Sequence, residues 1–533
     1  MHDTYDYVVV GAGSAGAVVA ARLSEDAGTS VLLLEVGPEP DADEITIPAA
    51  FSSLFKTKWD WQYNTVEQKQ LHSRRAYWPR MRALGGCSAM NAMIYIRGNH
   101  ADYDRWRDEY GATGWGYDDV LPYFIRSEDN TSHAAPYHGR GGQVHVEDRR
   151  YTHPLTYAWL ESAAAGGMKP NDDFNGAEQE GVGLYQVTCH KGRRWSTYDA
   201  FLMPAMDRPN LTVRTGALAT RVLVEGGRAV GVRYTYGPIE QEAYADAEVV
   251  LSGGAVNTPQ LLMLSGIGPA AHLRAVGVDV VVNLPGVGEN LHDHPAAPLV
   301  WHTRHISDLA DFSGLLNFAR AKAVGKGPLV SNIGEAGGFF HSRDGLTAPD
   351  IQVHVAPSGF WDNGLHEPTT RKFTIGPTLV DVASRGRVRL RSTDPRWHPL
   401  IDPAYYDDSR DLDAMVRGVR RLIETVHAGR MAHYIAGPFL PGKDDPSEDD
   451  LVEHVRQTTQ TLYHPVGTCA MGRGEGAVVD PELRVYGVEG LRVADASVMP
   501  VVPRGNTNAP TIMIGEKAAD LLRGRVHAEG VRP

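Results

Sequence analysis

The residues of this sequence that are best placed to do chemistry, by type and spacing, begin near its start with three glycines and one acid. Gly11, Gly13 and Gly16 are spaced as in a phosphate-binding turn, and Glu35 follows the last of them by 19 residues. The first glycine permits a tight turn, the second lets the backbone approach a pyrophosphate, and the third lets a helix pack closely on a strand. The carboxylate can accept hydrogen bonds from ribose hydroxyls and would repel a 2′-phosphate, which disfavours NADP. This motif predicts a dinucleotide site but does not distinguish FAD from NAD.

Two other groups of side chains could suggest a metal or a disulfide framework. His292 and His294 flank Asp293, but no further ligand has a suitable spacing, and we expect no metal. The three cysteines are widely separated and form no CxxC pair. We therefore expect no disulfides, and this cysteine usage is typical of a reducing cytoplasm.

The elements that must position the glycine motif are predicted on either side of it. Residues 7–10 form a short apolar run, residues 17–23 have the pattern of a helix, and residues 30–34 form a second apolar run closed by Glu35. Continuous apolar runs are typical of parallel strands that are buried on both faces. The sequence therefore predicts a βαβ unit in which the helix N-terminus offers N–H groups to phosphate.

The rest of the chain shows strand and helix patterns without a further βαβ series. Residues 40–100 are rich in loops, residues 210–251 alternate as antiparallel strands do, and residues 143–205 and 296–463 mix both patterns. We predict strands at 221–224, 230–234, 248–251 and 491–494, and helices at 259–264, 411–426 and 510–522. Short glycine-rich patches recur far apart, which favours two interleaved domains around one ligand over a row of unrelated domains.

One strand pattern places a histidine where it could face a ligand. Alternation puts Ile351, Val353 and Val355 on one face of the strand and puts Gln352 and His354 on the other. If the apolar face meets the core, His354 faces a cavity. An exposed strand histidine fits the same pattern equally well, so the pattern leaves both interpretations open.

Length and charge limit the classes of function. A chain of 533 residues is long enough for two large, closely joined domains. Its net charge of −13 and pI of about 5.9, with no basic stripe, argue against nucleic acid as a partner. No apolar run reaches membrane-spanning length, and the first residues lack the layout of an export signal. We expect a cytoplasmic protein without an integral membrane segment, acting as a monomer or homodimer on a small molecule.

Four further segments resemble those of one enzyme family, the glucose–methanol–choline (GMC) oxidoreductases. The segments are 82–95 (RALGGCSAMNAMIY), 254–268 (GAVNTPQLLMLSGIG), 463–468 (YHPVGT), and 495–500 (DASVMP) followed by 506–508 (NTN). The first two resemble the two family motifs, the third resembles the segment with the catalytic histidine, and the fourth resembles the C-terminal flavin-binding end. Their order and spacing match over essentially the whole chain. The subgroup that looks most similar contains choline oxidase, choline dehydrogenase and bacterial FAD alcohol dehydrogenases.

This resemblance implies an α/β and α+β chain with two discontinuous domains. A Rossmann-type FAD-binding domain would comprise residues 1–150, 206–295 and 465–533, interleaved with a substrate-binding domain of residues 151–205 and 296–464, built on an antiparallel sheet with helices. The expected FAD contacts are Gly11, Gly13, Ser14, Ala15, Gly16, Glu35, Gly85, Gly86, Asn91, Ala92, Met93, Val222, Asp495, Ala496 and Asn508.

The resemblance also implies the chemistry, which is oxidation of a primary alcohol to an aldehyde with hydride transfer to flavin N5. A base must take the hydroxyl proton, and His464 would be that base, since a neutral imidazole is available near neutral pH. In the family, a His or Asn lies six residues after the proline that closes the Asp-Ala-Ser segment. Counting from Pro500 gives Asn506, whose amide can donate to the substrate oxygen. A pocket histidine of choline oxidase lies in a similar strand, which makes His354 a third candidate.

Two positions depart from choline oxidase. The histidine that is bonded to flavin there is replaced by Met90, whose thioether does not form that link, so we expect non-covalent FAD. The pocket carboxylate that would balance a trimethylammonium group is replaced by Ala296, so we expect a neutral alcohol rather than choline. The electron acceptor, oxygen or another redox acceptor, stays open. Leu462 could line the route of the acceptor or serve in packing.

Other functions remain as alternatives. Choline oxidase or choline dehydrogenase activity is the main one, and hydroxynitrile lyase activity, which occurs in the same family, belongs to another class. A redox-silent flavin-binding protein is disfavoured because both His464 and Asn506 are present. An NAD-dependent dehydrogenase is a further alternative, which a yellow purified protein would exclude.

Overall fold

The sheet that carries the glycine motif has seven strands in the computed structural model, which describes residues 3–366 and 369–524 and the backbone of 526–527 and 530–531. We call it the first sheet. Its strands are Asp3–Val10, Val31–Leu34, Leu211–Arg214, Ala217–Glu225, Arg228–Tyr236, Ile239–Leu251 and Leu491–Val493.

The predicted βαβ unit is confirmed at the centre of this sheet. The strand Asp3–Val10 leads into the helix Gly16–Leu23, and the strand Val31–Leu34 returns parallel to the first strand. Val31–Leu34 is buried along its whole length. Burial on both faces explains why this strand is a continuous apolar run rather than an alternating one.

One long strand joins the parallel and antiparallel parts of the first sheet. Ile239–Leu251 pairs antiparallel with Arg228–Tyr236, which in turn pairs antiparallel with Ala217–Glu225. Its last residues run parallel to Asp3–Val10 on one side and to Leu491–Val493 on the other. The predicted strand 248–251 is therefore the buried end of a longer strand.

A second sheet of eight strands has only antiparallel pairs among the described residues. Its strands are Gly181–Leu184, Pro295–Ala296, Leu299–Thr303, Ala336–Phe340, Ile351–Ala356, Lys372–Leu379, Ile435–Leu440 and Gln460–Thr461. Ile351–Ala356 lies inside the sheet, between Ala336–Phe340 and Lys372–Leu379. The strand that carries His354 is therefore fixed by hydrogen bonds along both edges.

The predicted amphipathic helix covers the second sheet. It spans Ser409–His427 and packs against Ile351, whose Cδ1 atom would lie 3.1 Å from a Cβ atom on Gly418. The helix begins two residues before the predicted start because Asp408 caps it, accepting a hydrogen bond from the backbone N–H of Arg410 at 3.0 Å. The apolar face of the helix and the apolar face of the strand bury each other.

Two helices next to the first sheet differ slightly from their predicted bounds. The final helix spans Asn508–Leu522 and is buried on all sides, packed against Gly16–Leu23 and Tyr117–Ser127. The helix Gly254–Leu264 begins five residues before the predicted start at Pro259. Because its first turn is capped by a side chain from a distant part of the chain, as described below, the local sequence did not reveal where it begins.

The remaining α-helices of eight or more residues complete the fold. They are His100–Tyr110, Tyr117–Ser127, Pro154–Ala165, Leu315–Val324 and Glu448–Thr458. None of the helices in the described part of the chain is both long and apolar enough to span a membrane. The mixed class, a Rossmann-type unit together with an antiparallel sheet and helices, is confirmed.

The two sheets draw their strands from different stretches of the chain. The strands of the first sheet lie within residues 3–34, 211–251 and 491–493, and those of the second sheet lie within residues 181–184 and 295–461. The division into five domain segments stays a prediction, and the end of its last segment, 465–533, lies partly outside the described residues.

Candidate active site

A cavity of about 340 Å³ lies between the two sheets. Val10, Leu34 and Leu251 line it from the C-terminal ends of parallel strands of the first sheet, and His354 and Gly376 line it from the second sheet. In open α/β sheets the C-terminal strand ends are where ligands bind. All predicted site residues line this cavity except Gly16, Gly85 and Val222.

The glycines of the two motifs meet face to face. A Cβ atom on Gly86 would lie 2.6 Å from the Cα atom of Gly13, so the backbone at Gly13 leaves no room for a side chain on Gly86. Gly11 has a φ of +97°, and a Cβ atom there would lie 2.5 Å from the carbonyl oxygen of Ser252. These contacts form a narrow backbone cradle, which is the shape that a pyrophosphate requires.

The helix that follows the cradle offers its N-terminus to the cavity. Gly13, Ser14 and Ala15 line the cavity, and within the described residues their backbone N–H groups have no acceptor. Ser14 donates its hydroxyl to Oδ1 of Asn508 at 2.8 Å, which joins the fingerprint to the C-terminal segment. Free N–H groups at a helix N-terminus bind anions.

Glu35 lies at the same end of the cavity. Its two carboxylate oxygens accept hydrogen bonds from the N–H groups of Ala12 at 2.9 Å and Gly37 at 2.8 Å. Burial raises the pKa of Glu35, and these hydrogen bonds oppose that rise. The carboxylate is therefore fixed in place, with further lone pairs available to ribose hydroxyls.

Asp495 has a role inside the protein as well as a place in the cavity wall. Its Oδ2 atom accepts hydrogen bonds from the N–H of Gly254 at 2.9 Å and from the hydroxyl of Thr258 at 2.6 Å. It thus caps the helix Gly254–Leu264. Since the two motifs are joined by this one carboxylate, replacing it would disturb the fold as well as any cofactor contact.

The segment with Asn91 is held by a buried cation. Arg194 donates to Oδ1 of Asn91 at 2.8 Å and to the carbonyl oxygens of Ser88 and Ile45 at 3.2 and 2.7 Å. Burial lowers the pKa of Arg194 to about 10. The sequence interpretation did not include this arginine, although it fixes the loop on which the flavin ring was expected to lie.

His464 lies at the other end of the cavity and is almost fully buried. Its backbone N–H donates to Oδ1 of Asp293 at 2.8 Å, and the hydroxyl of Tyr405 donates to the other oxygen of this carboxylate. Asp293 comes from the loop with two histidines that suggested a metal. Its carboxylate fixes the backbone at His464.

The ring of His464 lies between a histidine and an amide. Its Nδ1 atom is 2.9 Å from Nδ1 of His294, and its Nε2 atom is 3.3 Å from Nδ2 of Asn506. Burial lowers the pKa of His464 well below its ordinary value, and His294, His354 and Arg80 lower it further. Burial also lowers the pKa of His294 to about 3, so both rings are neutral at neutral pH.

Asn506 is held from behind by a glutamine. Its Oδ1 atom accepts a hydrogen bond from Nε2 of Gln352 at 3.0 Å. His354 lies two residues farther along the same strand and faces the cavity, and burial lowers its pKa to about 4. The structure thus brings His464, Asn506 and His354 to one cavity wall, and their catalytic roles stay predictions.

The wall beside His464 is mainly aromatic. The ring centroids of Phe51 and Phe360 lie 5.9 Å apart, and those of Phe55 and Tyr463 lie 5.8 Å apart. All four side chains line the cavity, as does Met90. This end of the cavity suits an apolar substrate body.

Charged groups are few along the cavity. In the part of the chain that the structure describes, the acids in the lining are Glu35 and Asp495, and the only Lys or Arg is Arg80. Ala296, also in the lining, presents a methyl group where choline oxidase has a carboxylate. Among the described lining residues, neither acid belongs to the aromatic wall, so neither of them is placed there to balance a cationic substrate.

Three predicted residues lie behind the lining. Gly16 packs against Gly11, where a Cβ atom would lie 1.9 Å from the carbonyl oxygen, and Gly85 donates its N–H to the carbonyl of Ala12 at 2.8 Å. The expectation that Val222 lines the site needs correction. Val222 is a buried core residue whose N–H donates to Ser265, while Ala217, Leu218 and Ala219 of the same strand line the cavity.

Sequence reasoning missed the residues that support the catalytic candidates. These are His294, Asp293, Arg194, Arg80 and the aromatic wall. Gln352 could have been found, because alternation put it on the same strand face as His354. No pattern of spacing could have paired His294 with His464, which lie 170 residues apart in sequence.

The chain belongs to the GMC oxidoreductase family. Its sequence matches the N-terminal GMC oxidoreductase profile over residues 5–296 and the C-terminal profile over residues 382–515. This membership confirms the resemblance that was drawn from the motifs, and it identifies the chain as an oxidoreductase.

Named relatives span almost the whole chain. Mitochondrial choline dehydrogenase of Mus musculus is 42% identical over 98% of this chain and 90% of its own length. Alcohol dehydrogenase [acceptor] of Pseudomonas putida is 41% identical over 98% of this chain and 96% of its own length. A solved structure concerning FAD modification in formate oxidase of Aspergillus oryzae is similar with a TM-score of 0.92 and 27% identity, and the match covers 98% of each chain.

Proposed function

We propose that this chain binds FAD without a covalent link. The facing glycines of the cradle, the helix N-terminus at Ser14 and the fixed carboxylate of Glu35 fit the pyrophosphate and ribose of a dinucleotide. A related formate oxidase contains FAD. Met90 in the cavity wall supports non-covalent binding, because a thioether does not bond to the flavin ring.

We propose that the reaction is oxidation of a primary alcohol to an aldehyde. The observation that carries this proposal is the 3.3 Å approach of His464 Nε2 and Asn506 Nδ2 on the cavity wall. FAD, when bound, supplies the acceptor for the hydride. The substrate hydroxyl would bind beside these two atoms and replace their contact, so that His464 Nε2 takes the proton and Asn506 Nδ2 donates a hydrogen bond to the oxygen. His354 would contact the same oxygen or the substrate body.

A neutral substrate body is part of the proposal. Apolar surface comes from the rings of Phe51, Phe55, Phe360 and Tyr463. In the described lining the only Lys or Arg is Arg80, and the side chain of Ala296 is uncharged. A trimethylammonium group would find rings but no carboxylate there. The mouse choline dehydrogenase relative keeps choline as the alternative. The experiment described next also tests whether oxygen or another compound is the electron acceptor. It tests hydroxynitrile lyase activity as well.

The test is a panel of alcohols mixed with the purified, yellow protein in the absence of air. The panel pairs neutral primary alcohols of increasing length with trimethylammonium alcohols of similar length. We expect neutral alcohols to bleach the flavin absorbance and charged ones to do so poorly. Peroxide formed on admitting air would identify oxygen as acceptor. The proposal fails if no alcohol bleaches the flavin, and cleavage of a cyanohydrin without bleaching would favour the lyase.

A further inference from the structure

We infer that Gln352, which lies behind the cavity wall, orients the carboxamide of Asn506 and thereby decides which ring nitrogen of His464 is free to act as a base. Gln352 is fully buried and is not a lining residue of the cavity. This inference rests on the proposed function, because it concerns the same base and the same amide. It assigns Gln352 a positioning role, since it does not contact the substrate space itself.

The orientation begins at a carbonyl group, which can only accept. The hydroxyl of Tyr185 lies 2.6 Å from the carbonyl oxygen of Val353 and donates to it. A hydroxyl has one hydrogen, so the oxygen of Tyr185 is left as an acceptor. Nε2 of Gln352, at 3.3 Å from this oxygen, must therefore be the donor.

The second hydrogen of the same amide fixes Asn506. Nε2 of Gln352 lies 3.0 Å from Oδ1 of Asn506 and donates to it. The two ends of an asparagine amide have almost the same shape, so only its hydrogen-bond partners decide which way it faces. With its oxygen held by Gln352, Asn506 presents Nδ2 to His464.

The direction continues into the imidazole. Nδ2 of Asn506 is a donor only, so Nε2 of His464, at 3.3 Å, must carry a lone pair. The proton of the neutral ring then lies on Nδ1 and is donated to Nδ1 of His294 at 2.9 Å. A series of hydrogen bonds, which starts at the accepting carbonyl of Val353, thus leaves the basic nitrogen of His464 facing the cavity.

Two substitutions of Gln352 test this series of hydrogen bonds. Gln352→Met fills similar space but cannot hold the amide. Gln352→Glu, when ionised, offers only acceptors, so Asn506 would turn its Nδ2 toward the carboxylate and its Oδ1 toward His464. With a neutral alcohol that the wild-type protein oxidises, we expect the limiting rate of flavin reduction to fall roughly 10- to 100-fold in Gln352→Met and further in Gln352→Glu. Flavin content is expected to stay the same.

A double-mutant cycle shows whether Gln352 acts through Asn506. In an Asn506→Ala background, Gln352→Met is expected to change the reduction rate less than about 3-fold, since the group that it positions is already absent. Gln186→Met is the matched control, because Gln186 is a buried glutamine with hydrogen bonds to Asn130 and Asp148 and does not line the cavity. We expect this control to lower the melting temperature and leave the reduction rate within about 2-fold. Equal effects of Gln352→Met in both backgrounds would overturn the inference.

Two readouts do not depend on turnover. A tertiary alcohol lacks a hydrogen on the carbinol carbon, so its binding can be titrated by the flavin absorbance without oxidation. We expect its Kd to change less than about 5-fold in Gln352→Met, because this substitution impairs the proton-accepting geometry more than ground-state binding. Neutron crystal structures of both variants, which locate the amide hydrogens, should show the Asn506 amide rotated in Gln352→Met and hydrogen-bonded through Nδ2 to the new carboxylate in Gln352→Glu.

Failure of the inference and failure of the proposed function give different results. If no alcohol reduces the wild-type flavin, the proposed function fails, and the crystal structures alone judge whether Gln352 orients Asn506. If wild type is reduced but Asn506 keeps its position and the rate keeps its value in both Gln352 variants, the function stands and the inference is wrong.

Discussion

The Nδ1 atoms of His464 and His294 lie 2.9 Å apart, so the two imidazoles share one hydrogen bond. Both rings are buried, and burial lowers the pKa of each. Two neutral imidazoles can form this contact only if one nitrogen donates and the other accepts. In the hydrogen-bond direction that we infer from Gln352 and Asn506, His294 is the acceptor that keeps a proton on Nδ1 of His464 and leaves Nε2 unprotonated on the cavity side.

Removing the base should abolish reduction without unfolding the protein. We predict that His464→Ala folds, retains FAD and loses alcohol-driven bleaching by at least about 100-fold, because no other group takes its place beside Asn506. Anaerobic stopped-flow absorbance measures the rate, and the flavin spectrum measures cofactor content. His302→Ala is the control, since His302 lies on the strand Leu299–Thr303 of the second sheet and does not line the cavity. Unchanged reduction in His464→Ala would eliminate this residue as the base.

The pH dependence of reduction should reflect the lowered pKa of His464. A base with a pKa below the ordinary value of 6.5 stays neutral as the pH falls through the usual histidine range. We predict a constant reduction rate from about pH 8 to about pH 6 and a decline only in more acidic buffer.

In His294→Asn the same decline should move to higher pH. An amide oxygen at this position can still accept from Nδ1 of His464, while the lowering of the pKa of His464 by His294 is lost. The acid limb of the rate of flavin reduction, measured with one alcohol, gives the shift directly. A shift to lower pH would contradict this interpretation of the pair.

The flavin should leave the protein on denaturation. Met90 lines the cavity where choline oxidase carries its flavin-linked histidine, and we predict that acid precipitation releases yellow flavin into the supernatant. Absorbance of the supernatant and of the redissolved pellet measures the division. Colour that stays with the pellet would show a covalent link and refute the argument from Met90.

A carboxylate at position 296 should change the preferred substrate. Ala296 is buried in the cavity wall, and we predict that Ala296→Glu raises the ratio of kcat/KM for a trimethylammonium alcohol over a neutral alcohol by about 10-fold or more. Ala296→Gln is the control, because it adds the same volume without charge. If the glutamine variant changes the ratio as much as the glutamate variant does, charge is not the cause.

Acid should weaken the fold through buried histidines outside the site. His153 is buried, accepts a hydrogen bond from the N–H of Leu155 as the N-cap of the helix Pro154–Ala165, and has its pKa lowered by burial to about 4. The unfolded chain gains a proton at this group below about pH 6.5, whereas the folded chain does not. Its stabilising contribution is therefore complete above pH 6.5 and is lost between pH 6.5 and about 4.

We predict that His153→Asn reduces this loss. Asparagine keeps an acceptor for the cap and does not titrate. The free energy of unfolding of wild type should fall more steeply than that of the variant, by at most about 1.4 kcal/mol per pH unit, over the range given above. Denaturant unfolding at a series of pH values measures both slopes. Equal slopes would show that His153 is not a source of the acid sensitivity.

Local sequence determined a large part of this protein. The βαβ unit could be predicted because buried parallel strands must be apolar throughout and because Gly11 and Gly16 stand where a Cβ atom would collide with backbone atoms. The strand with His354 and the helix Ser409–His427 could be predicted because each has apolar residues at the spacing that places them on one buried face. The motif segments were enough to identify the GMC family, because their order and spacing along the chain match those of the family.

Tertiary structure decided what the sequence could not. The helix Gly254–Leu264 begins where Asp495, more than two hundred residues away, accepts the N–H of Gly254, so no local cap marked its start. The alternation pattern left His354 either exposed or facing a cavity, and packing of the second sheet put it in the cavity wall. Val222 was misplaced because position along a strand does not reveal which residues reach a ligand. The partners of His464 come from separate loops and strands, so the spacing of residues in the sequence does not reveal them. The direction of their hydrogen bonds depends on the positions of the atoms in the folded chain.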